Sequence, residues 1–427
     1  MPRDLCASLI RECGASTGDT VKLTVRGREY TGILMPHHSF SDRDVLTLKL
    51  ANGYNIGIAL DKEARLSLIK KGEKIESPSI LPKKREKETV AVLSTGGTIA
   101  SYVDYRTGAV YPALTPEELV NSIPEVGDIC SIKARVLYNL LSEDLTPEHW
   151  IKLAEETAKE LNSGYKGVII PHGTDTMAYT SAALSFMLSN LTGPVVLVGA
   201  QRSSDRPSSD ATLNFISATK LAMSADLGEV VVVMHATTSD DIIAVHRGTR
   251  VRKMHTSRRD AFKSINGEPI GYITEKGIKL SGRYRARSDG DVEAFTNLER
   301  NVSMLYFYPG IKEEWIEEML HRNKGVVIMG TGLGHISSKF IPMIEEAVRR
   351  GVVVVMTSQC LWGSVNMNVY HTGRELLRAG VLSGGDMLPE VAYIKLMWAL
   401  GMARNGHDPK ELMQQNIAGE MSEQRTL

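Results

Sequence analysis

The stretch Leu93-Ser94-Thr95-Gly96-Gly97-Thr98-Ile99-Ala100 decides the fold of this chain. It follows the apolar run of residues 90–93, which predicts a buried parallel strand, and its two adjacent glycines end that strand. Open α/β sheets bind ligands at the carboxyl ends of their strands, which is where the hydroxyl of Thr98 falls. The stretch therefore indicates either a presented nucleophile or an ordinary turn after a strand.

A second segment repeats this arrangement. The apolar residues 167–170 lead into Pro171-His172-Gly173-Thr174-Asp175-Thr176, where a hydroxyl again follows a glycine and a carboxylate stands beside it. Taken alone, the segment is also a plausible helix start capped by Thr174 or Asp175. Two such loops on neighbouring parallel strands would converge at one edge of the sheet, which favours a functional site.

A third segment, residues 250–256, carries Lys253. Most lysines are solvated, but a threonine, an aspartate and a lysine together can activate a nucleophile. A lysine whose pKa is lowered by desolvation could take a proton from threonine while the aspartate orients it. We expect backbone N–H groups near Gly97 and Thr174 to stabilise the oxyanion.

The composition is that of a globular chain without a bias toward nucleic acids. Its 427 residues exceed one ordinary core, which predicts two or three domains. Its 50 basic and 50 acidic residues give a formal net charge of zero, whereas a protein that binds nucleic acid by itself usually has a basic excess. We therefore expect no DNA contact, and no RNA binding made mainly by this chain.

The cysteines and the apolar residues predict where the protein works. Cys6, Cys13, Cys130 and Cys360 are scattered without metal-ligand spacing, which indicates reduced thiols. The N-terminus lacks the apolar core of a signal peptide, and no run of about 18 apolar residues could span a membrane. The sequence thus predicts a cytoplasmic protein that makes no membrane contact.

Residues 1–75 differ in pattern from the rest of the chain. Val21, Leu23 and Val25 alternate with polar residues, and Asn52-Gly53 between two further alternating segments is a hairpin signal. We predict a small SH3-like β-barrel here. The charged, proline-bearing residues 76–88 predict a linker, because such a basic cluster is more typical of a solvated segment than of an RNA contact.

From Thr89 onward the pattern becomes an alternation of strands and helices. Apolar runs precede helix-like segments at residues 90–93, 167–170, 194–198 and 230–234. This alternation predicts mostly parallel sheets with helices on both faces. Because residues 282–301 are polar and lack periodicity, we predict one α/β domain over residues 89–290 and a second over 300–427. Capping patterns predict helix starts at Thr115, Thr146 and Asp408.

Two further signals are weak. Gly330-Thr331-Gly332-Leu333-Gly334 invites a dinucleotide-binding interpretation, but its spacing is not the full fingerprint and the next strand ends without an acidic residue. His37, His38, His235 and His246 are too dispersed for a metal site, and we expect His172 to be structural. The sequence predicts no metal.

The two glycine-threonine motifs resemble the signature motifs of bacterial-type asparaginases and glutaminases. Gln201-Arg202 and the residues from Asp205 to Asp210 resemble the block that follows them in that family. The resemblance spans about residues 89–427 and implies a two-domain α/β fold whose second domain helps to complete the active site of a neighbouring protomer. It also implies a homodimer and amide hydrolysis by double displacement.

The resemblance implies a role for each matched residue. Thr98 is the attacking nucleophile, and Tyr105 matches the tyrosine of a mobile loop that closes on the substrate. Thr174, Asp175 and Lys253 match a second triad that activates water. Contacts to the substrate are implied for Ser142, which matches the serine that binds the α-carboxylate, and for its neighbours in the site, Gly97, Gly173 and Glu143. Glu143 stands where free asparaginases usually have glutamine, so the bound amino acid, glutamine or asparagine, stays open.

Residues 1–88 have no counterpart in free asparaginases. Gly18 to Leu23 and Tyr30-Thr31-Gly32 resemble the N-terminal module of the D subunits of archaeal glutamyl-tRNA(Gln) amidotransferases. That resemblance implies a glutaminase that passes ammonia to the E subunit of the same enzyme. The E subunit would bind tRNA(Gln), ATP and Mg²⁺ in a D2E2 heterotetramer, and the glutaminase itself would need no cofactor. The alternative is a stand-alone asparaginase or glutaminase with an accessory β-module.

Overall fold

The described part of the chain forms a small β-module and two α/β units. The computed structural model describes residues 5–16, 18–35, 44–50, 55–71, 88–96, 101–103, 110–112, 123–202 and 209–422. Within these residues, no helix is both long and apolar enough to cross a bilayer.

The N-terminal module is an antiparallel sheet of five strands in the order β4-β3-β2-β1-β5. The strands are β1 (Thr20–Val25), β2 (Arg28–Leu34), β3 (Val45–Lys49), β4 (Asn55–Ala59) and β5 (Arg65–Lys70). The first four form a meander and β5 returns to pair with β1, which is the strand order of a small SH3-like barrel. Val21 and Leu23 are fully buried, as their alternation predicts. The predicted hairpin turn at Asn52-Gly53 lies outside the described residues.

This module also contains a helix that its sequence pattern does not predict. Helix α1 (Leu5–Cys13) precedes the first strand and buries Cys6 in the core of the module. The helix is short and buries one residue fully, so its apolar period was a weak signal.

The first α/β unit is built on an eight-stranded sheet in the order β18-β17-β14-β13-β12-β10-β6-β9. Its parallel strands are β6 (Glu88–Gly96), β9 (Ser131–Leu140), β10 (Val168–Pro171), β12 (Val195–Val198) and β13 (Val230–His235). The antiparallel strands are β14 (Ile243–Arg247), β17 (Gly271–Thr274) and β18 (Gly277–Leu280). The sheet is therefore mostly parallel, as predicted, with an antiparallel edge that was not.

Shorter strands of this unit lie outside the large sheet. They are β7 (Ser101–Val103) and β8 (Val110–Pro112), β15 (Val251–Lys253) and β16 (Phe262–Ser264), and β11 (Leu188–Ser189), which pairs with β19 (Glu293–Ala294). Strand β19 lies in the polar connection between the two α/β units.

Helices cover both faces of the large sheet, because its central strands are apolar on both sides. The helices are α2 (Pro124–Ile129), α3 (Pro147–Asn162), α4 (Met177–Met187) and α5 (Ala211–Ser224). Helix α3 begins after Thr146 in a capping box completed by the ring of His149. The helix predicted after Thr115 falls outside the described residues.

The second α/β unit is a four-stranded parallel sheet in the order β20-β21-β22-β23. Its strands are β20 (Val302–Tyr306), β21 (Gly325–Gly330), β22 (Val353–Ser358) and β23 (Leu382–Ser383). Its helices are α6 (Glu313–Arg322), α7 (Ile341–Arg349), α8 (His371–Arg378), α9 (Pro389–Met402) and α10 (Pro409–Gln414). Asp408 caps α10 by accepting the N–H of Lys410, as its sequence predicts.

Helix α9 joins the two α/β units through one apolar core. Its residues pack with α4 and with the first sheet, and the rings of Phe186 on α4 and Trp398 on α9 stack with centroids 6.0 Å apart. The helix is apolar on nearly every side, which is typical of a helix buried between two layers. Two of its charged residues, Glu390 and Lys395, are nevertheless buried.

Candidate active site

Strand β6 ends at the first of the two glycines in the first motif. Gly96 has a φ of +102°, and a Cβ atom there would lie 2.6 Å from the carbonyl oxygen of Leu140 on β9. Both facts require glycine, since other residues rarely adopt this conformation and the neighbouring backbone leaves no room. Gly97, Thr98 and Tyr105 lie outside the described residues, so their roles stay predictions.

The second motif begins beside the first. Strands β6 and β10 are adjacent and parallel, with Val92 paired to Ile169, so their carboxyl ends meet at one edge of the sheet. The buried hydroxyl of Thr95 donates a hydrogen bond to the carbonyl oxygen of Pro171 at 3.0 Å. The convergence that the sequence predicted for the starts of the two loops is therefore present.

His172 fixes the second loop from behind. Its ring is fully buried, and burial lowers its pKa to about 4, so it is neutral at pH 7. Nδ1 lies 2.6 Å from the carbonyl oxygen of Gly173, and Nε2 lies 2.8 Å from the hydroxyl of Thr180. The indole N–H of Trp150 donates to the same hydroxyl at 3.0 Å. These partners assign the proton to Nδ1, which then donates to Gly173, and they give His172 the structural position that we expected.

Ser142 and Glu143 come to the same edge from the end of β9. A Cβ atom on Gly173 would lie 2.7 Å from the Cβ atom of Ser142, so the glycine permits this close approach. The hydroxyl of Thr176 donates to the carbonyl oxygen of Ser142 at 2.7 Å. Ser142 is buried, whereas Glu143 is exposed with a carboxylate oxygen 3.4 Å from the Ser142 hydroxyl.

Lys253 meets the second motif from β15. Its Nζ atom donates to the hydroxyl oxygen of Thr174 and to the carboxylate of Asp175, each at 2.8 Å. Thr174 is buried and the Lys253 side chain is 14% exposed, whereas the Asp175 side chain is 68% exposed. The structure thus brings together the threonine, aspartate and lysine that the sequence selected. A proton can pass between Thr174 and Lys253 within one hydrogen bond.

A further glycine lies at this edge, and the sequence motifs predict no role for it. A Cβ atom on Gly199, which follows β12, would lie 2.8 Å from the Cγ2 atom of Thr174. Asn214 donates to the carbonyl oxygen of Gly199 at 3.0 Å, and the carboxylate of Asp210 accepts the N–H groups of Gln201 and Arg202. A glycine directly after an apolar strand was the available signal.

A cavity of about 810 Å³ lies at the other edge of the large sheet, where Glu229 precedes β13. Arg247 and Arg250 line it, but their side chains are already occupied. Arg247 binds the carboxylate of Glu229 with two hydrogen bonds, and Arg250 binds Asp386. We therefore place the chemistry at the Thr174 edge.

The glycine-rich loop after β21 closes on itself. Thr331 and His335 exchange backbone hydrogen bonds, and a Cβ atom on Gly334 would lie 2.7 Å from Val365. The loop is thus a tight turn rather than the start of a helix that could receive a pyrophosphate. Across the part of the chain that the structure describes, no group of three or more His, Cys, Asp or Glu side chains could hold a metal ion.

Three protein families match this chain. Residues 15–69 match "GatD N-terminal domain", residues 89–285 match "Asparaginase, N-terminal", and residues 301–413 match "Glutaminase/Asparaginase C-terminal domain". The three matches follow one another in the order of the β-module and the two α/β units.

Curated relatives match nearly the whole chain. The D subunit of the glutamyl-tRNA(Gln) amidotransferase of Pyrococcus furiosus is 53% identical over 97% of this chain and 96% of its own length. The protein of the same name from Saccharolobus solfataricus is 46% identical over 98% and 96%.

Solved structures match the two α/β units. The thermostable L-asparaginase of Thermococcus kodakarensis is 33% identical, with a TM-score of 0.70, over 79% of this chain and 100% of its own. L-asparaginase I of Vibrio cholerae is 31% identical, with a TM-score of 0.69 and the same coverage. The predicted asparaginase-like α/β fold is thereby confirmed.

Proposed function

This chain belongs to the family of glutamyl-tRNA(Gln) amidotransferase D subunits, and we propose that it is the glutaminase of a complex that converts Glu-tRNA(Gln) to Gln-tRNA(Gln). The observation that carries the chemistry is the contact of Lys253 with Thr174 and Asp175 at the edge where the first motif begins. A chain of this family works as an amidohydrolase within the larger amidotransferase, so ammonia is the product that matters.

The first half of the reaction acylates a threonine. The Thr98 hydroxyl attacks the side-chain carboxamide of the donor, its proton passes to the leaving nitrogen, and the C–N bond breaks to release ammonia. Backbone N–H groups near Gly97 and Thr174 stabilise the oxyanion, and Tyr105 assists the attack, as the family resemblance implies. The product of this half-reaction is an ester of Thr98.

The second half frees the threonine. Water attacks the ester carbonyl and gives a proton through Thr174 to Lys253. The lysine then returns this proton by the same route to the Thr98 oxygen as the acyl C–O bond breaks, which leaves glutamate and the free Thr98 hydroxyl. The 2.8 Å contact between Nζ and Oγ1 supports this route, because the proton crosses one hydrogen bond. Asp175 holds the lysine from its other side at the same distance.

Ser142 and Glu143 are our candidates for binding the amino-acid end of the donor. The buried hydroxyl of Ser142 can donate to an α-carboxylate, and the exposed carboxylate of Glu143 can attract an α-ammonium group. Gly173 leaves room for Ser142 at this position. We propose glutamine as the donor, with asparagine as the alternative that a direct comparison of the two substrates decides.

The name that the relatives carry implies a complex with other subunits. We propose the E subunit of the amidotransferase as the partner, in a cytoplasmic D2E2 heterotetramer built on a dimer of this chain. The partner would bind tRNA(Gln) together with ATP and Mg²⁺, since the zero net charge of this chain does not favour RNA binding by itself. We expect amide hydrolysis through the threonine to need no cofactor.

Replacing the nucleophile tests the proposal in the reconstituted complex. We expect Thr98→Ala to abolish amidation with glutamine and to leave amidation with free ammonium unchanged, because ammonium bypasses the hydrolysis. Thr95→Ser is the matched control, since it keeps the hydroxyl that bonds to Pro171 and should keep both activities. Loss of both activities in Thr98→Ala would contradict the assigned role.

The similarity to L-asparaginases supports a second candidate function. In that case the protein is a stand-alone amidase with an accessory β-module. The two functions differ in their need for a partner. Amide hydrolysis that depends on the E subunit and on charged tRNA supports the amidotransferase. Equal hydrolysis by the isolated chain would support the stand-alone enzyme.

A further inference from the structure

The strand that carries Lys253 presents two different faces. Side chains of a strand alternate, so Val251 and Lys253 lie on one face of β15, and Arg252 and the preceding Arg250 lie on the other. Val251 is fully buried and Lys253 contacts the second motif. The two arginines contact the second α/β unit instead.

Arg252 binds a buried carboxylate at the start of α9. Its Nη1 atom donates to Glu390 Oε2 at 2.7 Å. The Glu390 side chain is 4% exposed and the Arg252 side chain is 33% exposed, so water screens this pair from one side only. Arg252 directly precedes Lys253 in the chain.

Arg250, two residues before Arg252 in the chain, forms a similar ion pair with the second α/β unit. It donates to the carboxylate of Asp386 at 2.9 Å and to the carbonyl oxygen of Gly419 at 2.9 Å. Asp386 lies just before α9 and Glu390 lies in its first turn. Two ion pairs therefore hold β15 and the preceding Arg250 against the N-terminal end of α9.

The pairing of β15 with β16 does little more to fix the position of Lys253. Strand β15 has three residues, and it forms a two-stranded sheet with β16, which is equally short. A ladder of this length supplies few backbone hydrogen bonds, so strand pairing alone does not fix the position of β15 firmly. Neither Thr174 nor Asp175 belongs to either strand.

We propose that Arg252 and Glu390 are positioning residues, which hold Lys253 where its Nζ atom reaches Thr174 and Asp175. The pair acts through the backbone of β15 and touches no substrate. This inference rests on the proposed function, because it assigns to the second α/β unit a part in the same hydrolysis. A shift of about 1 Å in a reacting group can lower the rate on the order of 100-fold. The ion pair of Arg252 and Glu390 can therefore affect the rate strongly.

A second ion pair supplies the control. Arg247 binds Glu229 at 2.8 Å, and the Glu229 side chain is 2% exposed, so its burial matches that of Glu390. Arg247 lies on β14 and Glu229 directly precedes β13, so neither belongs to β15. We expect a Glu229→Gln variant to lose a buried charge and to keep the contact of Arg252 with Glu390.

The experiment measures kcat and KM for glutamine hydrolysis in the reconstituted complex, with ammonium-dependent amidation as a reference. We expect Glu390→Gln and Arg252→Met to lower kcat about 10- to 100-fold with KM within about twofold. Arg252→Lys should recover part of the loss, because it keeps a cation opposite Glu390. Glu229→Gln should lower the melting temperature but keep kcat, and ammonium-dependent amidation should persist in every variant.

Three results would overturn the inference. They are a wild-type kcat in Glu390→Gln, an equal loss of kcat in Glu229→Gln, or no advantage of Arg252→Lys over Arg252→Met. If Glu390→Gln does not fold, the two Arg252 variants decide, because that side chain is partly exposed. A wild-type complex that hydrolyses no glutamine would instead contradict the proposed function.

Discussion

His172 is the residue whose environment makes stability depend on pH. Burial lowers its pKa in the folded protein to about 4, whereas the ring has an ordinary pKa of about 6.5 when the chain unfolds. The unfolded state therefore binds the proton more tightly, so stability falls as the pH drops from about 6.5 to 4. Between pH 7 and pH 5 this single group should cost about 2 kcal/mol of unfolding free energy.

Urea unfolding at pH 7 and pH 5 measures this effect. A His172→Gln variant cannot take up the proton, so its unfolding free energy should fall by about 2 kcal/mol less than that of the wild type over the same interval. His246 is also fully buried with its pKa lowered to about 3, and it remains in both proteins, so its contribution cancels. Equal losses in the two proteins would show that the fold does not lower the pKa of His172.

The same scale shows what a sequence can and cannot predict about a site. Thr174, Asp175 and Lys253 could be selected because their chemistry is explicit in their side chains. The need for glycine at Gly173 and Gly199 could not be predicted, because it depends on which atom of a distant residue lies against each position. Ser142 lies against the first and Thr174 against the second. At both positions the glycine leaves room for a neighbouring protein atom.

At the scale of elements, α9 carries a second buried charge that stabilises residues 417–420. Lys395 binds Glu420 with both side chains fully buried, and Glu420 also accepts the N–H groups of Ile417 and Ala418. Burial lowers the pKa of the Lys395 ammonium, and the carboxylate of Glu420 opposes that shift.

Replacing one member of this ion pair should lower the unfolding free energy far more than replacing both. We expect Lys395→Met to lower the unfolding free energy by about 3–5 kcal/mol, measured by urea unfolding, since it leaves the Glu420 carboxylate buried without its cation. Lys395→Met combined with Glu420→Gln should cost less than the single change. The exposed pair of Arg322 and Glu318 on α6 is the control, and Arg322→Met should change little. A double variant no more stable than the single one would contradict this prediction.

The elements that the sequence predicted best are the buried strands. Strands β10, β12 and β13 are continuous apolar runs, which is the pattern of a parallel strand covered on both faces. Helices α1 and α8 were missed because each is short and buries few residues. The antiparallel edge was missed because the pairing of β17 and β18 depends on a turn at Gly277 and on strands of four residues.

At the scale of the whole molecule, α9 brings residues of the two α/β units into one apolar core. Phe186 and Trp398 stack across the boundary inside a single apolar core. We expect the two units to unfold in one calorimetric transition. Trp398→Ala should lower the unfolding free energy by about 3–5 kcal/mol and move that transition to lower temperature without splitting it. Two separate transitions in the wild type would show that the shared core does not couple the units.

The sequence predicted two α/β domains but could not predict how they meet. Arg250 and Arg252 find their acidic partners 136 and 138 residues later in the chain. The local sequence around each arginine does not mark it as part of an ion pair, because the partners meet only in the folded chain. The resemblance to a family supplied the roles of single residues and left this contact unnoticed.

Residues 418 and 419 accept hydrogen bonds from the two residues that precede β15, so these contacts can form only late in synthesis. Thr249 donates to the carbonyl oxygen of Ala418, and Arg250 to that of Gly419, so the neighbours of Lys253 gain these bonds late. A nascent chain that has emerged only as far as the second sheet can form its first sheet but lacks these contacts. Thr249 and Arg250 therefore gain these two hydrogen bonds only after residues 418 and 419 have left the ribosome. A product truncated before them would carry both threonine motifs without these two contacts next to β15.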